Sequence, residues 1–166
     1  MTAAPSTLAD FLIADGPVPE YADKLGLYGW LVGAWTMDAV IHADDGARHE
    51  AKGQIRFGWV LGGRAIQDVW LLPGFFHGTT LRIYDPGLDA WHILWNDPVK
   101  QYYTHQIGRA EGRDIVQIGK LEDGTPIRWR FTEIAGDSFH WLGERSRDGG
   151  ASWQLQADFR ARRVNS

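Results

Sequence analysis

The chain has 166 residues, a net charge of −4 and an apolar content of 44%, with acidic and basic residues interspersed. This composition predicts a globular protein and offers no basic stripe for a nucleic-acid backbone, so nucleic acid is not an expected partner. The chain has no cysteine, which excludes disulfides, zinc–thiolate sites, iron–sulfur clusters and a thiol nucleophile.

Residues 1–32 are predicted to form a helical segment that precedes a β-rich domain, residues 33–166. Ser6 or Thr7 can cap a short helix over residues 8–14, and apolar residues at helical spacing predict a second helix over residues 20–31. This segment is also a candidate lid for the mouth of the domain that follows. The opening residues do not resemble a secretory signal, and no apolar run reaches membrane-spanning length. We therefore expect a cytoplasmic protein that has no membrane contact.

From Trp35 onward, short apolar runs alternate with turn residues at intervals of about 8–12 residues, which is typical of all-β proteins. No helical pattern interrupts the runs, so antiparallel up-and-down pairing is expected. Closing the sheet into a barrel removes its unpaired edges, and a sandwich is the alternative. A barrel of this size can hold one small ligand. The ten predicted strands span residues 35–43, 49–61, 65–72, 79–84, 90–96, 101–108, 115–120, 127–134, 138–145 and 152–161.

The nine tryptophans are more than a domain of this size needs for folding, since each can bury about 150–250 Å². We therefore expect some of them to line a ligand cavity. Trp70 shares a strand face with Asp68, opposite Gln67, and is assigned to the outside. Trp30 belongs to the helical segment and is assigned to the lid. Strand alternation assigns six others to the inner wall: Trp59, Trp91, Trp95, Trp129, Trp141 and Trp153.

A few polar residues stand among these aromatic positions, where burial would require hydrogen-bond partners. One interpretation is that they are the convergent polar groups of an otherwise apolar pocket. The other is that each bonds a neighbouring strand or faces water. The set is Gln67, Arg82, Tyr84, Tyr103 and His105, with Asp68 and Glu144 as alternates.

The six histidines show no metal-ligand spacing such as HxH or HExxH. We therefore predict no metal site, and no cofactor is indicated.

Several motifs carry a resemblance to known proteins. The segments GWLVGAW, FGWVLGGRAIQDVW, GTTLRIYDP and DGGASWQLQADFRARR resemble a family of small, largely uncharacterised bacterial calycin-like domains, related to lipocalins and fatty-acid-binding proteins. The resemblance implies a closed barrel. It also implies that Trp35, which follows Gly33 in a Gly-x-Trp triplet, lies at the closed end. An arginine of the last strand, Arg160 or Arg162, would pack across that indole.

The order of segments is also similar to that of nitrobindins, which are calycin-like barrels that bind haem through a histidine on the last strand. In this chain Gln154 occupies that position, and the last strand contains no histidine. The resemblance therefore does not extend to haem.

Two functions follow from these observations. The first is binding of a small hydrophobic or aromatic molecule inside an aromatic-lined barrel. The alternative is a cofactor-independent lyase or isomerase that acts on an aromatic substrate. In that case His105 would be the general acid–base residue, Tyr103 a proton donor and Arg82 an anion-holding group. Outward-facing aromatic residues would instead indicate an interaction surface, such as that of a homodimer. Whether the chain is an enzyme stays open at this point.

Overall fold

Ten antiparallel strands close into an up-and-down barrel in the computed structural model, which describes residue 4 and residues 7–165. Each strand pairs with its neighbours in the chain, and the first pairs with the last. The predicted fold class is therefore confirmed. The strands are β1 (Gly33–His42), β2 (Arg48–Val60), β3 (Ala65–Leu72), β4 (Phe76–Asp85), β5 (Ala90–Asp97), β6 (Tyr102–Glu111), β7 (Asp114–Lys120), β8 (Pro126–Thr132), β9 (Ser138–Arg145) and β10 (Gln154–Arg163).

Two short helices precede the barrel: α1 (Leu8–Leu12) and α2 (Ala22–Gly29). Thr7 caps α1 in a reciprocal box, because its side chain accepts from the Asp10 amide while Asp10 accepts from the Thr7 amide, both at 3.1 Å. Ser6, the other predicted cap, lies outside the described residues. No helix in the described part of the chain is long and apolar enough to cross a membrane.

The helix α2 plugs one end of the barrel, which we call the closed end. Leu25, Tyr28 and Leu31, from α2 and the residues just after it, are fully buried there. The Trp30 ring makes edge-to-face contacts with Trp35, Phe131 and Phe139. This segment therefore fills the floor of the barrel, and the prediction of a lid over the mouth is wrong for α2 and Trp30. The periodic apolar face of α2 needed a partner, and the barrel floor provides it.

An indole–guanidinium stack completes the closed end. Trp35 is fully buried, and the Arg163 Cζ atom lies 4.3 Å from the centre of its ring. Arg163 also donates to the carbonyls of Val32 at 2.9 Å and Trp30 at 2.5 Å. Gly33 belongs to this arrangement, because a Cβ atom there would lie 2.8 Å from the Arg163 Nη1 atom.

The prediction of Arg160 or Arg162 for this stack is wrong. Both side chains are exposed, and Arg160 bonds Glu133 on the outer face at 3.2 Å. The last strand runs two residues further than predicted, so that Arg163 pairs with Trp35. Since alternate residues point to opposite faces of a strand, Arg163 shares the inward face with Phe159 and Ala161.

Candidate functional site

A cavity of about 310 Å³ occupies the half of the barrel opposite α2, at the lower end of the usual range for ligand sites, about 300–1,000 Å³. The ends of the strands form its mouth, including Ile41 of β1, Asp97 of β5 and Arg145 of β9. Seven aromatic side chains line it, one from each of seven strands, and Tyr102 of β6 is one of them. The other six form a ring of contacts around the cavity. We call them the aromatic collar: Trp70, Phe76, Trp95, Trp129, Trp141 and Phe159.

The aromatic collar is continuous. Trp70 lies inside it, with its ring centre 5.7 Å from that of Trp141 and 6.1 Å from that of Phe159. Trp141 and Phe159 are stacked, with an angle of 14° between their planes. Neighbouring ring centres lie 4.9–6.3 Å apart around a full circuit in the order Phe76, Trp95, Trp129, Trp141, Phe159 and back to Phe76. Rings at these distances support one another edge to face or stacked, so the wall is fixed in place before any ligand enters.

A buried ion pair lies beneath the aromatic collar. Arg82 of β4 donates to the carboxylate of Asp68 on the adjacent strand β3, and their side chains are 2% and 0% exposed. The other Asp68 oxygen accepts the Thr80 amide at 2.8 Å. On the closed-end side the rings of Tyr28, Phe57 and Phe131 surround the guanidinium, with their centres 5.3–5.7 Å from its Cζ atom.

Several buried polar atoms near this pair have no hydrogen-bond partner among the described residues. They include the Trp70 Nε1 and Arg82 Nε atoms, on two residues that line the cavity. On β6, the Thr104 hydroxyl and both polar atoms of the Gln106 amide also have no hydrogen-bond partner among the described residues. Gln117 on β7 has one hydrogen bond, because its Oε1 atom accepts the Tyr28 hydroxyl at 3.0 Å. Because unpaired buried polar groups are rare in folded proteins, those on Trp70 and Arg82, which line the cavity, suit it to a polar guest atom.

Charged groups around the mouth each contact a neighbouring group of the protein. Arg145 binds Asp44, and this hydrogen bond holds the pKa of the Asp44 carboxyl below its ordinary value. Asp97 caps the following turn by accepting the Val99 amide at 2.9 Å. Lys100 lies over the Phe75 ring, 5.6 Å from its centre. A β-bulge between Leu155 and Ala157 leaves an extra residue, Gln156, which also lines the cavity.

The structure brings together some of the predicted ligand-binding residues and separates others. Trp95, Trp129 and Trp141 belong to the aromatic collar, and Arg82 lies beneath it. Trp91 and Tyr84 pack together nearer the closed end, with ring centres 5.8 Å apart. The remaining predicted tryptophans also lie elsewhere: Trp59 against Gly29 of α2, and Trp153 beneath Arg128, 4.3 Å from its Cζ atom.

The assignment of Trp70 to the outside is wrong. Ile66, Asp68, Trp70 and Leu72 all face inward and are at most 4% exposed. Gln67, the predicted inward residue, lies on the outer face and donates to Thr79 at 3.0 Å. The inward face of this strand accommodates the charged Asp68 because Arg82 neutralises its carboxylate inside the barrel.

Tyr103 and His105 also lie on the outer face. Tyr103 is 56% exposed, and its hydroxyl donates to Gln101 at 2.6 Å. The inward residues of β6 are Tyr102, Thr104 and Gln106, so Tyr103 and His105 cannot meet a molecule inside the cavity. Of the three residues assigned to acid–base chemistry, only Arg82 reaches the cavity.

His105 instead belongs to a hydrogen-bonded chain on the outside of the barrel. Its Nε2 atom lies 2.9 Å from the His92 Nδ1 atom, and the His92 Nε2 atom lies 2.8 Å from an Asp85 oxygen. The bond to His92 holds the pKa of Asp85 below its ordinary value. Among the described residues, no cluster of three or more histidine or acidic side chains is arranged to hold a metal ion.

Known structures share this architecture. An S-type phycobiliprotein lyase, CPES, from Guillardia theta aligns with a TM-score of 0.59 and 11% identity, over 85% of this chain and 92% of that one. Rv2717c from M. tuberculosis aligns with a TM-score of 0.57 and 13% identity, over 90% of this chain and 99% of that one. The chain has the calycin-like fold. No protein-family model and no curated protein matches it. These likenesses confirm the predicted resemblance at the level of the fold.

Proposed function

We propose that the chain binds a small, largely aromatic molecule in the open half of its barrel. The observation that carries this proposal is the aromatic collar, six rings arranged around a cavity of about 310 Å³. A barrel that needed only to be stable would fill this space with side chains, as its closed half does around Tyr28 and Trp91. The continuous wall of rings offers stacking surface on every side of a flat guest.

The apolar area sets the scale of the expected affinity. A two-ring guest that buries about 250 Å² gains roughly 6 kcal/mol at about 25 cal/mol per Å². Contact with the aromatic collar adds to this gain, and the lost freedom of the guest subtracts from it. We therefore expect dissociation constants between about 1 mM and 1 μM for simple aromatic probes.

Two measurements test the proposal. Native mass spectrometry of freshly purified protein detects a retained small molecule as added mass. Tryptophan fluorescence then follows titration with fatty acids, aromatic acids and haem. A linear tetrapyrrole is included because one of the similar structures is a phycobiliprotein lyase. Because four of the nine tryptophans belong to the aromatic collar, a bound guest should quench or shift the emission.

A matched pair of variants locates the binding. Ala157 lines the cavity, whereas Leu155 on the same strand is exposed. We expect Ala157→Trp to fill the mouth and abolish the fluorescence response, and Leu155→Trp to leave it unchanged. Equal responses from both variants would show that binding, if present, occurs outside the cavity. A panel that gives neither added mass nor a spectral change would refute the proposed function.

A further inference from the structure

Trp70 in the aromatic collar and Arg82 beneath it carry hydrogen-bond donors that have no acceptor among the described residues. Trp70 is 4% exposed and Arg82 is 1% exposed, and both line the cavity. Neither the Trp70 Nε1 atom nor the Arg82 Nε atom has a hydrogen-bond partner among the described residues. A buried N–H group without an acceptor costs free energy in the folded state. Since both atoms can only donate, the group that complements them is an acceptor oxygen or nitrogen.

The charge beneath the aromatic collar is already balanced. The Arg82 guanidinium is neutralised by the Asp68 carboxylate, and both side chains are out of contact with solvent. An anionic guest that reached Arg82 would therefore also approach the carboxylate of Asp68 in a medium of low dielectric, where like charges repel strongly. A neutral acceptor avoids this repulsion and still receives the free N–H groups.

The position of Arg82 is fixed by its surroundings. Its guanidinium is held between Asp68 and the rings of Tyr28, Phe57 and Phe131 on the closed-end side. A guest must therefore bring its acceptor down to the ion pair, past the aromatic collar. This places the polar atom at the buried end of the guest and the aromatic part among the rings.

From these contacts we propose that the ligand carries an uncharged hydrogen-bond acceptor, such as a ketone, aldehyde or amide oxygen, and enters with that group first, towards Trp70 and Arg82. This inference rests on the proposed function and narrows it to a chemical class. Carboxylates and purely apolar molecules of the same shape are expected to bind less well.

Three probes with the same ring system test the inference by isothermal titration calorimetry at pH 7.5. They are 2-acetylnaphthalene, which carries a neutral ketone, 2-naphthoate, which carries a carboxylate, and 2-ethylnaphthalene, which has no acceptor. We expect the ketone to bind about 10-fold more tightly than either of the others, as a gain of one or two buried hydrogen bonds implies.

Two variants separate the donor from the ring that carries it. Trp70→Phe keeps an aromatic side chain and removes the N–H group, so the preference for the ketone over 2-ethylnaphthalene should fall about 5-fold or more. Trp141→Phe is the matched control within the aromatic collar. It should weaken the ketone and 2-ethylnaphthalene by the same factor and leave the preference intact.

The possible failures are distinguishable. Tighter binding of 2-naphthoate than of the ketone would overturn the assignment of a neutral group. Equal binding of the ketone and 2-ethylnaphthalene would overturn the role of the free donors. A ketone preference that survives in Trp70→Phe would overturn the role of the Trp70 donor. Both results would leave the proposed function standing. If none of the three probes binds, the proposed function itself fails and this inference falls with it.

Discussion

Removing the guanidinium of Arg82 should destabilise the fold more than almost any other single change. In Arg82→Met the Asp68 carboxylate stays buried, with its side chain 0% exposed. Of its hydrogen bonds to described residues, the one from the Thr80 amide remains. Breaking a buried ion pair by removing one partner costs about 3–5 kcal/mol. That is a fifth or more of the roughly 5–15 kcal/mol that stabilises a typical domain.

Urea unfolding at pH 7, followed by tryptophan fluorescence and far-UV circular dichroism, measures this loss. The control is Lys52→Met, which breaks the surface pair with Asp38. The two side chains are 88% and 67% exposed, so the free energy of unfolding should change little. The double variant Asp68→Asn with Arg82→Met removes both buried charges and should recover part of the loss. A cost for Arg82→Met as small as that for Lys52→Met would refute the view that a charge-balanced pair lies beneath the cavity.

Three further changes follow from particular contacts. Arg163→Lys keeps the charge but loses the planar stack on Trp35 and part of the carbonyl contacts, so the free energy of unfolding should fall by about 1–3 kcal/mol in a urea titration. Gly78→Ala places a Cβ atom 2.5 Å from the Trp95 ring, and calorimetry should show a lower melting temperature from about 1–3 kcal/mol of overpacking. Burial raises the pKa of Tyr28 above its ordinary value of about 10. The contribution of the neutral Tyr28 hydroxyl to the free energy of unfolding is therefore complete below pH 10 and is lost as the pH rises further. Between pH 10 and 11, Tyr28→Phe should lose less stability than the wild type. An equal loss would contradict the raised pKa of Tyr28.

The sequence predicts the barrel well because the barrel depends on local signals. Turn residues such as the Asp85-Pro86-Gly87 run end the strands, and alternation within the runs needs no knowledge of distant partners. The same signals place Trp95, Trp129 and Trp141 on the inner face. The predicted strand over residues 65–72 agrees with β3 to the residue.

The site is less predictable because it depends on pairs that are distant in sequence. Asp68 can face inward because its carboxylate pairs with Arg82 of the adjacent strand, a partner that the pattern within one strand does not show. Trp70 shares that inward face. On β6 both faces are mixed, so alternation alone cannot choose between Tyr103 with His105 and Thr104 with Gln106. The two-residue extension of β10 that brings Arg163 to Trp35 likewise depends on pairing with β1.

The indole N–H resonances of the nine tryptophans, assigned by single Trp→Phe variants, give the most direct test of the central claim. In a titration with 2-acetylnaphthalene followed by ¹H–¹⁵N correlation spectra, we expect the largest shifts from the four collar tryptophans, with Trp70 moving most because its N–H group gains an acceptor. Trp35 at the closed end and Trp153 outside the barrel should stay in place. Shifts confined to those two residues, or the absence of any shift at saturating probe, would contradict a ligand site within the aromatic collar.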